Sequence, residues 1–158
     1  MNRLLSLAVL IAMLVSASAC GGKKPPEQAL AKSKNVLSTL RELNRSYDAK
    51  NLDAFMADVS DAYTGRDAFS RELGSVFKRS ASVRLSIHYN KMVIMMDQTG
   101  KLKPTFTWDA EWVGADGASQ KDGGRVTLVF ESGSFKLLSV DGKNPFLPQP
   151  AEPRGNKK

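Results

Sequence analysis

The sequence predicts an α+β domain, with N-terminal helices packed on a curved antiparallel sheet of about four to six strands. Three observations predict it. From Ala29 to Phe77 the apolar residues recur at intervals of three, four and seven, the period of amphipathic helices. After Ser80 the period falls to two, the signature of half-buried strands. The strands are separated by short polar and glycine-containing stretches rather than by helices, which implies antiparallel pairing.

The helices come first. In Ala29–Ala49, Leu30, Leu37, Leu40, Leu43 and Tyr47, with Val36, form one stripe along a long helix. Asn51 stands where it can cap a short second helix carrying Leu52, Phe55, Met56 and Val59. The segment "TGRD", Thr64 to Asp67, has the Thr-x-x-acid form of a capping box. It precedes a third stripe of Phe69, Leu73, Val76 and Phe77.

The strands follow. Val83, Leu85, Ile87 and Tyr89 alternate with Arg84, Ser86, His88 and Asn90. The next run, "KMVIMMD", is nearly all apolar and reads either as a strand buried on both faces or as a continuation past a bulge near Asn90. Phe106, Trp108, Ala110 and Trp112 alternate with Thr105, Thr107, Asp109 and Glu111. "RVTLVFESGSFKLLSV" reads as a hairpin turning at Ser132-Gly133.

From Ala29 to Asn144 this order resembles the nuclear transport factor 2-like superfamily, also called SnoaL-like or cystatin-like. The resemblance is carried by a long first helix ending near "SYDAKNLDAFMADVSDAY", a third helix, and strands ending at "KLLSVDG". It implies a cone-shaped fold. It also implies a choice of function, because that superfamily includes dehydratases, isomerases and epoxide hydrolases alongside members that only bind or dimerise. Its enzymes set carboxylates, histidines or tyrosines in the mouth of the cone.

The termini divide the chain further. With 158 residues there is room for one domain. Residues 1–19 read as an export signal: Arg3 in a short basic region, an apolar run from Leu4 to Val15 interrupted by Ser6, then Ser16, Ala17, Ser18 and Ala19. The run is too short for a comfortable span of about 20 residues. "ASAC" resembles a bacterial lipobox, with Ala17 where leucine is usual. That resemblance implies that Cys20, the sole cysteine, becomes the first mature residue and carries about three acyl chains, where about two suffice for stable anchoring. Gly21 in place of the aspartate that retains enterobacterial lipoproteins at the inner membrane points to the periplasmic side of the outer membrane. Residues 20–28 form the acylated cysteine and its tether, 29–144 the domain, and 145–158 a Pro/Lys-rich tail expected to be disordered, with Phe146 and Leu147 the residues placed to dock.

Charge narrows the partners. The whole chain is +7, but Ala29 to Pro148 holds 17 Lys/Arg and 14 Asp/Glu, or +3. A mixed surface of that kind, without a basic stripe interleaved with aromatics, excludes nucleic acid as the expected partner. The expected partners are membrane lipid through Cys20, and a small apolar ligand or an envelope protein, with a homodimer as a further expectation.

Few residues have the makings of chemistry. His88, the sole histidine, falls by parity on the polar side of its strand, which predicts exposure. Asp109 and Glu111 share a face and would serve acid–base work if burial raised one pKa, but Thr105 and Thr107 beside them mark that face as wet. No Ser-His-Asp set and no His/Cys cluster for zinc has independent support, and neither a metal nor a cofactor is expected. "GADGASQKDGG" reads as a long hairpin loop rather than a phosphate cradle. Trp108 and Trp112 suit either core packing or an apolar cavity, and with Tyr63 they are the candidate ligand-binding residues. Catalytic residues are not assigned. The favoured function is a lipid-anchored domain that binds a small apolar ligand or a protein partner without catalysis; the alternative is a small lyase or isomerase using the mouth of the cone.

Overall fold

The structure is a computed structural model that describes residues 27–149. The signal segment, Cys20 and the last nine residues lie outside that range.

Three helices precede five strands. Helix α1 spans Glu27–Asp48, α2 Leu52–Ala57 and α3 Arg66–Arg79. Strands β1 (Ser80–Ile87), β2 (Val93–Met96), β3 (Leu102–Gly114), β4 (Ser119–Phe130) and β5 (Leu137–Gly142) form one antiparallel sheet. Its order is β1-β3-β4-β5, and β2 pairs with the first half of β3. This is the expected class: helices on the apolar face of a curved, open sheet, the cone-shaped α+β fold.

Local chemistry explains the element ends. Asn51 caps α2 as its sequence position implies, its Oδ1 accepting from the Ala54 N–H at 3.0 Å. The box at "TGRD" does not form. Gly65, at φ 74°, is the N-cap of α3 and no side chain caps the helix. A left-handed residue turns the chain there, a conformation that glycine adopts without strain. Arg66 instead ties the turn down, its guanidinium donating to the Met56 carbonyl at 3.0 Å.

The parity of β1 and β3 holds. Val83, Leu85, Phe106, Trp108, Ala110 and Trp112 are buried, and Arg84, Ser86 and Asp109 are exposed. From α1, Val36, Leu40, Leu43 and Tyr47 close this face, each fully buried. Val36 takes the place expected of Leu37, which is half-buried. Phe146 fills the remaining wedge. It is fully buried, with its ring centroid 4.9 Å from Phe55 and 5.6 Å from Tyr47.

Of the two readings of "KMVIMMD", continuation past an interruption near Asn90 holds and burial on both faces does not. A 3-10 turn at Tyr89–Lys91 breaks the strand, and β2 resumes along the same partner, with Val93 opposite Thr105 and Met96 opposite Leu102. Val93, Met95 and Met96 are exposed, because β2 lies at the end of the sheet with its outer edge unpaired by any other strand. The loop expected to be long in "GADGASQKDGG" is short. Gly114 and Ala118 close it, the Gly114 N–H donating at 2.7 Å, and Ser119 to Gly124 already belong to β4.

The other two edges are tied down at particular residues. The Leu85 N–H on the free side of β1 donates to Asp48 Oδ1 at 2.9 Å, and Lys50 Nζ donates to the Ser80 and Ala81 carbonyls. On β5, Leu137 exchanges 2.8 Å backbone bonds with Asp58 and Ser60. Pairing an edge in this way removes a template for unwanted strand addition.

Candidate functional site

Two places are open to function in a fold of this shape: the concave interior between helices and sheet, and the polar outer face. They differ in what the chain puts there.

The interior is lined by Tyr47, Phe55, Phe106, Trp108, Trp112 and Phe146, none more than 4% exposed. Among the described residues the buried polar side chains are Ser46, Ser60 and Ser80, and no Asp, Glu, His, Lys or Arg is buried. One polar chain crosses this core. Trp112 Nε1 donates to the Tyr47 hydroxyl at 2.6 Å, and that hydroxyl donates to the Phe146 carbonyl at 3.1 Å. Burial pushes the Tyr47 pKa up, which keeps the phenol protonated and able to donate. Trp108 Nε1 has no partner. Of the candidate ligand-binding residues, Trp108 and Trp112 are therefore core side chains, 1% and 4% exposed. Tyr63 is half-buried and stacks on Phe69 at 5.1 Å between centroids.

The outer face of β1, β3 and β4 carries the titratable groups. Register places Arg84 opposite Glu111, Ser86 opposite Asp109, and Glu111 opposite Lys121. An open groove of about 420 Å³ runs among Arg84, Ser86, Asp109, Glu111, Lys121 and Asp122. His88 is exposed as its parity implies, and its Nε2 lies 2.6 Å from Asp109 Oδ2. Glu111 accepts from Ser119 Oγ at 2.7 Å and pairs with Lys121 Nζ at 3.3 Å. These two contacts, the hydroxyl foremost, hold its carboxyl below the usual carboxylate range. That direction is opposite to what a general acid needs, since such a group must keep its proton near neutral pH. On the other side of β4, Asp122 lies opposite Ala110 and pairs with Lys143, whose side chain passes Gly124 beside Trp108. On the outer face, Arg84, Glu111 and Lys121, with His88 beside Asp109, thus form a network of compensated charges across neighbouring strands.

The structure brings His88 and Asp109 together and leaves Glu111 engaged elsewhere. Sequence reasoning missed Arg84, Lys121 and Asp122 as neighbours of the carboxylates. Parity gives the face but not the register, and the register makes the groove. Among the described residues no group of three or more His, Cys, Asp or Glu side chains is placed to hold a metal ion.

No family model and no curated protein matches the sequence. Solved structures do. A nuclear transport factor 2-like superfamily protein from Salmonella enterica serovar Typhimurium aligns at 13% identity over 74% of this chain and 93% of its own, with a TM-score of 0.59. A protein from Novosphingobium aromaticivorans described as a candidate scytalone dehydratase aligns at 13% identity over 83% of this chain and 98% of its own, with a TM-score of 0.63. A candidate aromatic ring hydroxylase from the same species aligns at 13% identity over 70% and 87%, with a TM-score of 0.59. At such identities the likeness establishes the fold: the chain has the nuclear transport factor 2-like fold.

Proposed function

We propose that the chain is a lipid-anchored protein of the bacterial cell envelope, on the periplasmic side, whose domain binds a partner without catalysis. The anchor rests on the leader and on Cys20 in "ASAC". Acyl chains on Cys20 would hold the chain at the leaflet, since about two suffice for stable anchoring. Replacing the acylated sulfur tests it. Cys20→Ser should lose labelling by a palmitate analogue, and equal labelling of both proteins would rule the anchor out.

One observation carries the non-catalytic reading. The interior, where a cone-shaped fold has room for a substrate, is filled by the chain's own aromatic side chains. Among the described residues it offers no buried carboxylate, histidine or lysine to move a proton. Binding therefore falls to the outer face rather than to an apolar ligand within. Anilinonaphthalene sulfonate, an apolar fluorescent probe, tests this. Any enhancement on the folded chain should be unaffected by Trp108→Ala, since it comes from surface apolar residues, and saturable binding abolished by Trp108→Ala would overturn the reading.

A small lyase or isomerase is the second reading, and the names among the fold neighbours favour it over the first: one is a candidate dehydratase, another a candidate hydroxylase. The His88–Asp109 pair is the arrangement that would serve it, a carboxylate orienting an imidazole at 2.6 Å. Turnover of any hydroxylated ring or ketone substrate that is lost in His88→Gln, with folding unchanged, would establish this second reading.

A further inference from the structure

Five large apolar side chains are exposed among the described residues: Leu30, Tyr89, Val93, Met95 and Met96. They gather at one end of the domain, and the topology shows why. Strands β1 and β2 run in one direction along β3, Ile87 opposite Trp108 and Met96 opposite Leu102. Helix α1 runs against them: Lys50 holds Ser80, Asp48 holds Leu85, and the charge of Arg41 acts on Tyr89. From Arg41 back to Leu30 the helix advances roughly 16 Å. From Tyr89 on to Met96 the chain advances roughly 20 Å the same way. The first turns of α1 and strand β2 therefore end together.

The chemistry of this end is mixed in a specific way. Lys91, Lys101 and Lys103 flank the apolar strand, with Asp97 the one acidic neighbour on the turn, paired with Lys103 at 3.0 Å. Exposed apolar residues ringed by lysines suit a leaflet that contains anionic lipid. Chain length supplies the second argument. Only six residues, Gly21 to Pro26, separate Cys20 from Glu27. Seven residue steps reach at most about 25 Å. An acyl anchor on Cys20 thus keeps the start of α1, and the apolar end beside it, within that distance of the bilayer.

We propose that this end, with Val93, Met95 and Met96 at its centre, docks on the surface of the leaflet that holds the anchor, leaving the Gly114–Ser119 end directed away. The proposal rests on the reading of Cys20 as acylated. The test uses the full acylated chain reconstituted in vesicles of phosphatidylethanolamine and phosphatidylglycerol, with a nitrobenzoxadiazole fluorophore on Met95→Cys, on Val93→Cys, or on the exposed turn as Ala118→Cys. Docking predicts blue-shifted emission at positions 93 and 95, most of it lost on adding doxyl-labelled lipid, and no loss at position 118. A chain that floats with the vesicles but shows no quenching at 93 or 95 overturns the docking and leaves the anchor standing. Blue-shifted emission that doxyl lipid does not quench means that a second copy of the chain covers the strand, and also overturns it. A chain that fails to float overturns the anchor, and the docking with it.

Discussion

The Tyr47 hydroxyl joins three segments that are distant in sequence, and Tyr47→Phe isolates its contribution. The substitution keeps the ring and its edge contacts, 5.5 Å from Phe77 and 5.6 Å from Phe146. It deletes one oxygen. The Trp112 N–H then loses its acceptor and the Phe146 carbonyl loses its donor, both within the core. Leaving a buried polar group unsatisfied costs about 1–3 kcal/mol, so stranding two predicts a loss of about 2–6 kcal/mol. That is a large share of the 5–15 kcal/mol, roughly, that holds a domain folded. Urea melts followed by tryptophan fluorescence measure it. The midpoint should fall while the slope stays constant, because the surface exposed on unfolding is unchanged. A double-mutant cycle sharpens the test. Trp112→Phe on the Tyr47→Phe background removes the stranded donor, so the two losses should sum to more than the double variant shows. A Tyr47→Phe midpoint within about 0.5 kcal/mol of the parent would refute the reasoning, since that is the scatter of an inconsequential surface change.

Two further outcomes follow from the same geometry. Phe146→Ala should cost about 3–5 kcal/mol in a denaturant melt, the range for emptying a buried aromatic site, because the ring wedges between Tyr47, Phe55 and Phe69. Asp97 accepts from Thr99 and pairs with Lys103, which holds its carboxyl well below its ordinary 3.8. A lowered folded-state pKa stabilises fully above the ordinary value and is lost as pH falls through the lower one. Asp97→Asn should therefore lower the melting midpoint at neutral pH, and the gap from the parent should close as the solution is acidified below that ordinary value. A gap that widens on acidification would reverse the assignment.

Much of the fold was legible because its periods are regular. Leu40, Leu43 and Tyr47 repeat on one face of α1, and Trp108, Ala110 and Trp112 on one face of β3, so burial followed from spacing. The same parity placed His88 outward. For "KMVIMMD" the sequence left two readings open, because an apolar stretch does not reveal whether anything lies above it; continuation past an interruption near Asn90 holds and burial on both faces does not. Val93 and Met95 lie opposite Thr105 and Lys103, on the face turned away from the buried Leu102 and Phe106, and so stay exposed. Ser119 to Gly124 have poor strand propensity and are held in β4 by pairing with β3, a tertiary effect that local sequence does not encode. The groove was hidden for a related reason. Arg84, Glu111 and Lys121 meet only through the register of three strands.

The central claim is that the concave face is a closed core rather than a binding cavity, and Trp108→Ala tests it most directly. Trp108 is 1% exposed, and its ring lies over Gly124, whose substituent position is 3.8 Å from Cζ2. Its Nε1 has no partner, so the change loses packing and no hydrogen bond. Equilibrium denaturation should show a loss of about 3–5 kcal/mol, as for other buried aromatic residues cut to alanine. A melt unchanged within about 0.5 kcal/mol would mean that the indole lines a cavity instead of filling a core, and the non-catalytic reading would fall.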